Sequence, residues 1–461
     1  MSLSLPSPKT PLPRYLSLPC GGAGVVLLVL AALRVFALAR GTAGAHLFVL
    51  AVLLGLAALA LVLLWQAGLP RHWLFPALLP VALALFLRVL CLDHITLDYE
   101  NFLSVWAEFF RENGGFAAIR YPVGNYNAPY LYFMAAISYL PVPDLYCIKL
   151  FSMLFDVLLA WGGARLVRHF SGADSWKPWL AFAVLLLLPT PILNGAYWGQ
   201  CDALYGALVV HALSCALDRR SGWSVVWLAV AFSFKLQTIF LIPLWGVLWF
   251  TRRVKFRHLC LFPATYVLTI LPALLLGKPL GDILGVYLGQ TAEYADRLTL
   301  NAPSVYALIP SGAEVDHSLA FYLGIAAAFL LVLSVFLILF LVRDRVTDQV
   351  LMTVAVIFAV GIPFLLPSMH ERYFFLADVL SVAWACICWQ RLPQAIGVQF
   401  SSLGAYHAYL TLRYAFYITL FGQGWGMLLE ALVFLAVLVS CLVILAGQVR
   451  ALPPKKAPAA L

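Results

Sequence analysis

Apolar stretches of bilayer length recur along the chain from Gly24 to Ala446, and no other feature narrows the choice of fold so far. About 20 apolar residues in a helix are needed to cross the hydrocarbon core of a membrane. Reading along the chain, such stretches fall near 24–39, 46–65, 74–92, 146–167, 178–194, 203–217, 223–234, 238–250, 259–276, 319–342, 350–366, 374–390, 403–421 and 425–447. The chain is 64% hydrophobic and 11% charged, against about 45–50% and about 25% for a soluble domain. A water-soluble fold and disorder are both excluded. The fold class expected is an all-α polytopic membrane protein, with about 13–14 transmembrane helices by this windowing and with amphipathic surface helices on its outer face.

The formal net charge of +9 does not mark a nucleic-acid surface. Most of the 29 Lys and Arg fall in short loops between spans, among them Arg165, Arg168, Arg219, Arg220, Arg252, Arg253, Lys255, Arg257, Arg343, Arg345, Lys455 and Lys456. These lie on one side if both termini are cytoplasmic, which is the positive-inside pattern. Three basic residues interrupt spans: Arg34, Arg88 and Arg413. The stretch after Lys9 and Arg14 has the look of a signal peptide, but Arg34 interrupts it and a second stretch follows at once, so it reads as a retained span. The nine cysteines form no CxxC pair, and Cys386 and Cys388 point to nearly opposite sides of a helix. The organisation expected is a Pro-rich cytoplasmic tail (1–22), two extra N-terminal spans (23–73), a membrane core (74–390), C-terminal spans (391–447) and a short cytoplasmic tail (448–461). Segments 223–234 and 238–250 are each too short to span straight and read as a broken hairpin around Lys235.

On this topology the irregular polar segments all fall on the outer face, at 93–145, 195–202, Lys235, 277–318 and 367–373. The longest opens with Leu97-Asp98-Tyr99-Glu100-Asn101. Phe102, Val105, Trp106, Phe109 and Phe110 then recur at helical spacing, which predicts an amphipathic helix on the membrane surface ended by Gly114-Gly115. A turn-rich stretch and a second short surface or re-entrant helix ending at Pro141 follow. Asp98 reads equally as a cap of the surface helix or as a carboxylate at the mouth of the membrane. The second segment runs Asn194-Gly195-Ala196-Tyr197-Trp198-Gly199-Gln200-Cys201-Asp202, and places Asp202 at the top of an apolar helix, where carboxylates are expensive. The third is Phe234-Lys235-Leu236-Gln237, and the fourth Ser368-Met369-His370-Glu371-Arg372-Tyr373. Any one of these fits a solvated turn; four on one face predict a shared cavity. Arg372, Lys235 and His370 suit an anionic head group, the guanidinium fork being matched to phosphate oxygens. Asp98, Glu100 and Asp202 offer carboxylates to a partner rich in hydroxyls. Those three could also hold Mg²⁺ or Mn²⁺, but no spacing demands it, and neither a metal nor another cofactor is predicted.

These residues resemble a known group. Asp98-Tyr99-Glu100 followed by an amphipathic helix with Trp106 resembles the first outer loop of the C-type polytopic (GT-C) glycosyltransferases, and is similar to the Gly-Asp-Tyr-Glu of the N-glycan precursor glucosyltransferases. Trp198-Gly199-Gln200-Cys201-Asp202-Ala203, Phe234-Lys235-Leu236-Gln237 and Met369-His370-Glu371-Arg372-Tyr373 resemble more closely the bacterial mannosyltransferases related to the enzyme that adds the second mannose of the GPI anchor. Asn301-Ala302-Pro303 with Tyr306 resembles a later outer loop of the same group. The likeness spans roughly residues 75 to 390. It departs at Leu97, where the glucosyltransferases have Gly, and at Tyr126-Asn127-Ala128-Pro129, where a Tyr-Pro-Pro is usual.

The resemblance implies a hexosyltransferase, by analogy a mannosyltransferase, using a polyprenyl- or dolichyl-phosphate-linked sugar and inverting in one displacement. Asp98 would be the base; Arg372, Lys235 and His370 would hold the donor phosphate. Glu100, Trp198, Gln200, Asp202, Gln237 and Glu371 would contact sugar or acceptor, with Trp198 or Tyr197 as a stacking wall. The partners implied are membrane lipids, the lipid-linked sugar and a glycan, glycolipid or protein acceptor. The location implied is a multi-pass plasma or inner membrane with the catalytic face outside. The rival class is a secondary transporter or lipid flippase, which short broken spans and membrane carboxylates also fit. Against it stand the absence of a repeat relating the two halves and the placement of all four polar clusters on one side.

Overall fold

A computed structural model describes residues 14–172, 174–309, 313–411 and 425–453, and these are overwhelmingly helical. In chain order the main helices are α1 (Arg14–Phe36), α2 (Ala43–Gln66), α3 (Arg71–Leu90), α4 (Ser104–Glu112), α5 (Ala128–Ile137), α6 (Asp144–Ser171) and α7 (Lys177–Leu187). They continue with α8 (Asp202–Leu217), α9 (Ser221–Phe234), α10 (Ile242–Phe250), α11 (Leu261–Leu275), α12 (Leu280–Glu293), α13 (His317–Leu341), α14 (Asp348–Leu365), α15 (Phe375–Ile387), α16 (Leu392–Thr411) and α17 (Trp425–Arg450). A two-residue parallel pair, β1 (Thr299–Leu300) with β2 (Met369–His370), lies between two loops.

Nine helices among the described residues are long and apolar enough to cross a membrane, fewer than the fourteen stretches read from the sequence. The difference lies in short central helices. Residues 202–217, 221–234 and 236–250 form helices of 17 residues or fewer, and α15 ends at Ile387. The first of these, α8, is wholly enclosed: every one of its residues is buried. A helix walled by other helices need not match the bilayer, because its ends meet protein rather than water. At the periphery, α1 begins at Arg14, inside the segment expected as a tail. The stretch expected at 403–421 begins earlier, at Leu392. Beyond Thr411 that span, with Arg413, lies outside the described residues, as do Lys9, Lys455 and Lys456.

Side-chain ties define two faces. On one, Asp93 accepts from Arg34 (2.7 Å), the Ala39 amide and the Tyr146 hydroxyl (2.7 Å), which joins the ends of α1 and α3 to the start of α6. On the other, His169 lies between Asp218 (2.9 Å) and Asp348 (2.8 Å), and Arg253 donates to Asp348 (2.7 Å). The α9–α10 pair is a hairpin whose open ends meet on this second face, where Arg219 donates to the Arg252 carbonyl (2.9 Å). With 14 residues, α9 rises about 21 Å, short of the roughly 30 Å hydrocarbon core. Its turn at Lys235 is therefore sunk below the level of the long spans.

Candidate functional site

The first wall of the site is the segment that leaves α3. Three carbonyls at this helix end, of Cys91, Leu92 and His94, accept from the buried Lys149 ammonium at 2.7, 3.3 and 2.6 Å. Cations are favoured at helix C-termini, where carbonyls lack partners. Thr96 then donates to the Trp198 carbonyl (2.9 Å). Asp98 opens a wide turn, Tyr99–Leu103, and caps nothing with its side chain. Its carboxylate faces inward and accepts from Trp198 Nε1 (2.8 Å), Gln200 Nε2 (2.6 Å) and the Tyr409 hydroxyl (2.9 Å). A carboxylate has about four lone-pair positions, so three donors fix its orientation and leave one free. The helix-cap alternative for Asp98 is set aside by this geometry.

The second wall comes from a broken helix. Pro189 forces Leu188 into extended backbone (ψ 129°) and ends α7. The chain resumes as a wide turn over Ile192–Trp198 and stops at Gly199, whose φ of +88° suits glycine. Gly195 permits close packing here, since a Cβ would lie 2.4 Å from Ser152 Oγ. Asn194 folds back on α8: its Nδ2 donates to Asp202 Oδ2 (2.6 Å) and its Oδ1 accepts from the Asp202 amide (3.1 Å). Asp202 Oδ1 pairs with Lys235 Nζ at 2.5 Å. The hairpin turn thus delivers its cation to the top of α8, with both partners buried.

The third wall is the His370-Glu371-Arg372 turn. The β1–β2 pairing and the Ser368 hydroxyl, which donates to the carbonyls of Tyr294 and Arg297, hold this turn against the 294–301 loop. Arg372 lies over the Trp198 ring (5.3 Å), and its Nη1 is 3.4 Å from Glu371 Oε1. Trp198 therefore touches Asp98 with its indole N–H and Arg372 with its π-face. Burial lifts the Glu371 carboxyl to about 7, although the Arg372 charge opposes it. Burial, followed by the charges of Arg372 and Lys235, holds His370 well below the ordinary imidazole range. His370 is thus neutral, and offers a hydrogen bond rather than the charge expected of it.

These walls enclose a cavity of about 670 Å³. Of the residues singled out in the sequence, Asp98, Gln200, Lys235, Gln237, His370, Glu371 and Arg372 line it. Three do not. Glu100 is exposed one turn away, Asp202 is locked beneath the cavity by Lys235 and Asn194, and Trp198 is fully buried between Tyr409 (4.5 Å, stacked) and Arg372. Trp198 is thus the floor under Asp98 rather than a face open to sugar, and Tyr197 stacks on His94 instead (3.7 Å). Among the described residues no cluster of three His, Cys, Asp or Glu could hold a metal, so Asp98, Glu100 and Asp202 do not form a shared metal site. Sequence reasoning missed Tyr409 and Asn194. Tyr409 is 311 positions from Asp98, in a helix with no motif around it. Asn194 stood inside a motif already noticed, but its pairing with Asp202 was not visible.

One side of the cavity is apolar, made by Ile239, Phe240, Phe321, Ile325 and Leu366. It continues onto the outward surface of α13, where Tyr322 and Phe329 are about 70% exposed. Three buried polar atoms of the lining have no hydrogen-bond partner among the described residues: Arg372 Nε, Glu371 Oε2 and Gln237 Oε1.

The sequence model of glycosyltransferase family 87, a GT-C type membrane family with mannosyltransferase members, matches residues 125–309. That segment carries Gln200, Lys235 and Gln237 of the cavity. No curated protein matches the chain.

Proposed function

We propose that this chain, a polytopic membrane glycosyltransferase of the GT-C type, transfers a hexose from a polyprenyl- or dolichyl-phosphate donor to an acceptor hydroxyl, with inversion. The observation that carries the proposal is that Asp98, Lys235, Gln237, Glu371 and Arg372 line one cavity together with the apolar side chains of Ile239, Phe240, Phe321 and Ile325. A phosphate would be held at Arg372 and sugar hydroxyls at Gln237 and Glu371. The prenyl chain would leave past Ile239, Phe321 and Ile325 towards α13. Mannose is the sugar favoured by the resemblance.

In the proposed step the acceptor oxygen attacks the anomeric carbon as the bond from that carbon to the phosphate oxygen breaks. The acceptor proton passes to the free lone pair of Asp98, and the bonding electrons leave with the phosphate. Arg372 meets the returning negative charge directly, which is preorganised electrostatic stabilisation. Lys235, already bound to Asp202, adds positive potential from below rather than a free hand for the phosphate. Glu371 presents its partly titrated carboxyl to a hydroxyl. The catalytic face is placed outside the cell, in keeping with the distribution of Lys and Arg. No metal is invoked in this step, and undiminished transfer in the presence of chelator is expected.

The test is incubation of the purified protein with radiolabelled polyprenyl-phosphate mannose and, separately, glucose, with the fate of the label followed in the wild type and in Asp98→Asn. Label should leave the lipid in the wild type and remain there in the variant. Equal turnover in both would remove Asp98 from the base role. Substrate accumulation in vesicles with no sugar-lipid consumed would favour a transporter.

A further inference from the structure

The face opposite the cavity carries charge that the transfer reaction does not use. Two loops meet there, one joining α8 to α9 and one joining α10 to α11. Arg219 donates to the Arg252 carbonyl (2.9 Å), and the Ser221 hydroxyl accepts from the Lys255 amide (2.8 Å) and lies 2.9 Å from His258 Nδ1. Together the loops expose five cations: Arg219, Arg220, Arg252, Lys255 and Arg257. Carboxylates do little to offset them. Asp218 is engaged by His169 (2.9 Å), and Asp344 lies 3.7 Å from Arg252 with both side chains more than half exposed. Surface pairs of that kind are weak. Backbone conformation singles out two of the five. Among the described residues, four that are not glycine have a positive φ in the left-handed region. Asn301 and Ser368 are two of them, and both line the cavity. The others are Arg219 (φ +61°) and Arg252 (φ +62°). Glycine takes this conformation without penalty, whereas arginine is strained there. Strain of this kind is kept where a side chain is needed for function.

Aromatic side chains border these cations. Trp223 (61% exposed), Trp249 and Phe256 stand beside them, the last two with ring centroids 5.4 Å apart. Tryptophan at the end of a span marks the headgroup level of a membrane. Of the most apolar stretch of the span Phe256–Leu275, only 11% is buried inside the protein, so Lys255 and Arg257 sit at the foot of a helix open along most of its length. We infer that the two loops form a binding site for the phosphate headgroup of an anionic phospholipid. A soluble anion would gain nothing from Trp223, Trp249 and Phe256. A phospholipid brings its phosphate to the arginines and its acyl chains to the open side of α11. Guanidinium groups match phosphate oxygens, and each cation near an anionic surface adds attraction. The neighbouring His169 and Arg253 are different, since Asp218 and Asp348 already engage them.

The experiment titrates phosphatidylglycerol or phosphatidylcholine into the full chain in detergent and follows the midpoint of thermal unfolding. Wild type is compared with Arg252→Gly, Arg257→Gln, the two combined, and Arg71→Gln, an exposed cation at the start of α3 outside the two loops. Phosphatidylglycerol should raise the midpoint and phosphatidylcholine should not. Each loop substitution should raise the half-saturating phosphatidylglycerol concentration about fivefold, the worth of one cation near an anionic surface, and the pair about 25-fold. Arg71→Gln should leave it unchanged. Without added lipid, Arg252→Gly should unfold no earlier than wild type, since glycine relieves the strained turn. A clearly lower midpoint there would show that the arginine serves the fold, and would overturn the inference. So would an equal response to phosphatidylcholine, an equal loss in Arg71→Gln, or an unshifted titration in the double variant. Glycerophosphoglycerol, the headgroup without acyl chains, should have no effect; the full shift with it alone would overturn the lipid and assign the loops to a soluble anion.

Discussion

Two charged clusters sit at opposite faces of the molecule, and they differ in how completely they are paired. On the face away from the cavity, both ring nitrogens of His169 meet carboxylates, and both oxygens of Asp348 are engaged, one by His169 and one by Arg253. That cluster ties α6, α14 and the segment after α10 together and closes on itself. On the cavity face, Asp202 and Lys235 close in the same way, but Glu371, Gln237 and Arg372, the last 3.9 Å from Asp202, line the cavity. The comparison separates charge that only holds helices together from charge that also lines a cavity.

Substitutions sharpen that contrast. Asp98→Asn should produce the largest effect, a loss of about 10²–10⁴-fold in transfer, the usual worth of a positioned base. The amide still fits among Trp198, Gln200 and Tyr409, so unfolding temperature should stay near that of the wild type; a large drop would place Asp98 among the structural ties instead. Arg372→Ala should raise the donor KM by roughly 10–100-fold, as expected for one charged hydrogen bond, and unchanged donor affinity would locate the phosphate elsewhere.

A pH series probes Glu371. Its carboxyl, at about 7, is raised above the ordinary glutamate value, so the proton is favoured in the folded state. The stability this provides is complete below the ordinary value and is lost as pH rises through about 7. Donor binding should follow the same sign: above pH 7 the carboxylate competes with the donor phosphate for Arg372, and KM should climb. The phosphodiester of the donor carries no proton in this range, so a profile that stays rising in Glu371→Gln would exclude Glu371 as its source.

The smallest change is expected at the closed cluster. His169→Gln should lower stability by about 1 kcal/mol, a typical worth for a partly exposed ionic contact, with donor and acceptor KM unaltered. A kinetic defect there would mean that the two faces communicate.

The long outer helices were legible because lipid imposes one rule on every residue facing it, and a run of apolar side chains such as 319–342 can mean little else. The enclosed helices were harder. Asp202–Leu217 is walled by protein, and its length answers to neighbours rather than to the bilayer. At the site, Asp98, Gln200, Lys235, Gln237 and the His370-Glu371-Arg372 turn could be picked out as polar groups at membrane seams. Their individual duties could not. Asp202 carried the same signal as Asp98, yet it is consumed by Lys235 and Asn194. Trp198, expected as a stacking wall for sugar, is a buried floor. Tyr409 carried no signal, since a tyrosine near a helix end in a membrane protein is commonplace.

Sequence by itself determined that this chain lives in a membrane as a bundle of helices, because burying so much apolar surface in water-facing form is impossible. It also determined which polar residues had to be explained, because carboxylates and cations between apolar runs are too costly to be incidental. Only the tertiary structure decided which of those charges neutralise one another and which stay open. That choice depends on distances of 2.5–4 Å between residues tens to hundreds of positions apart, and local composition carries no record of them.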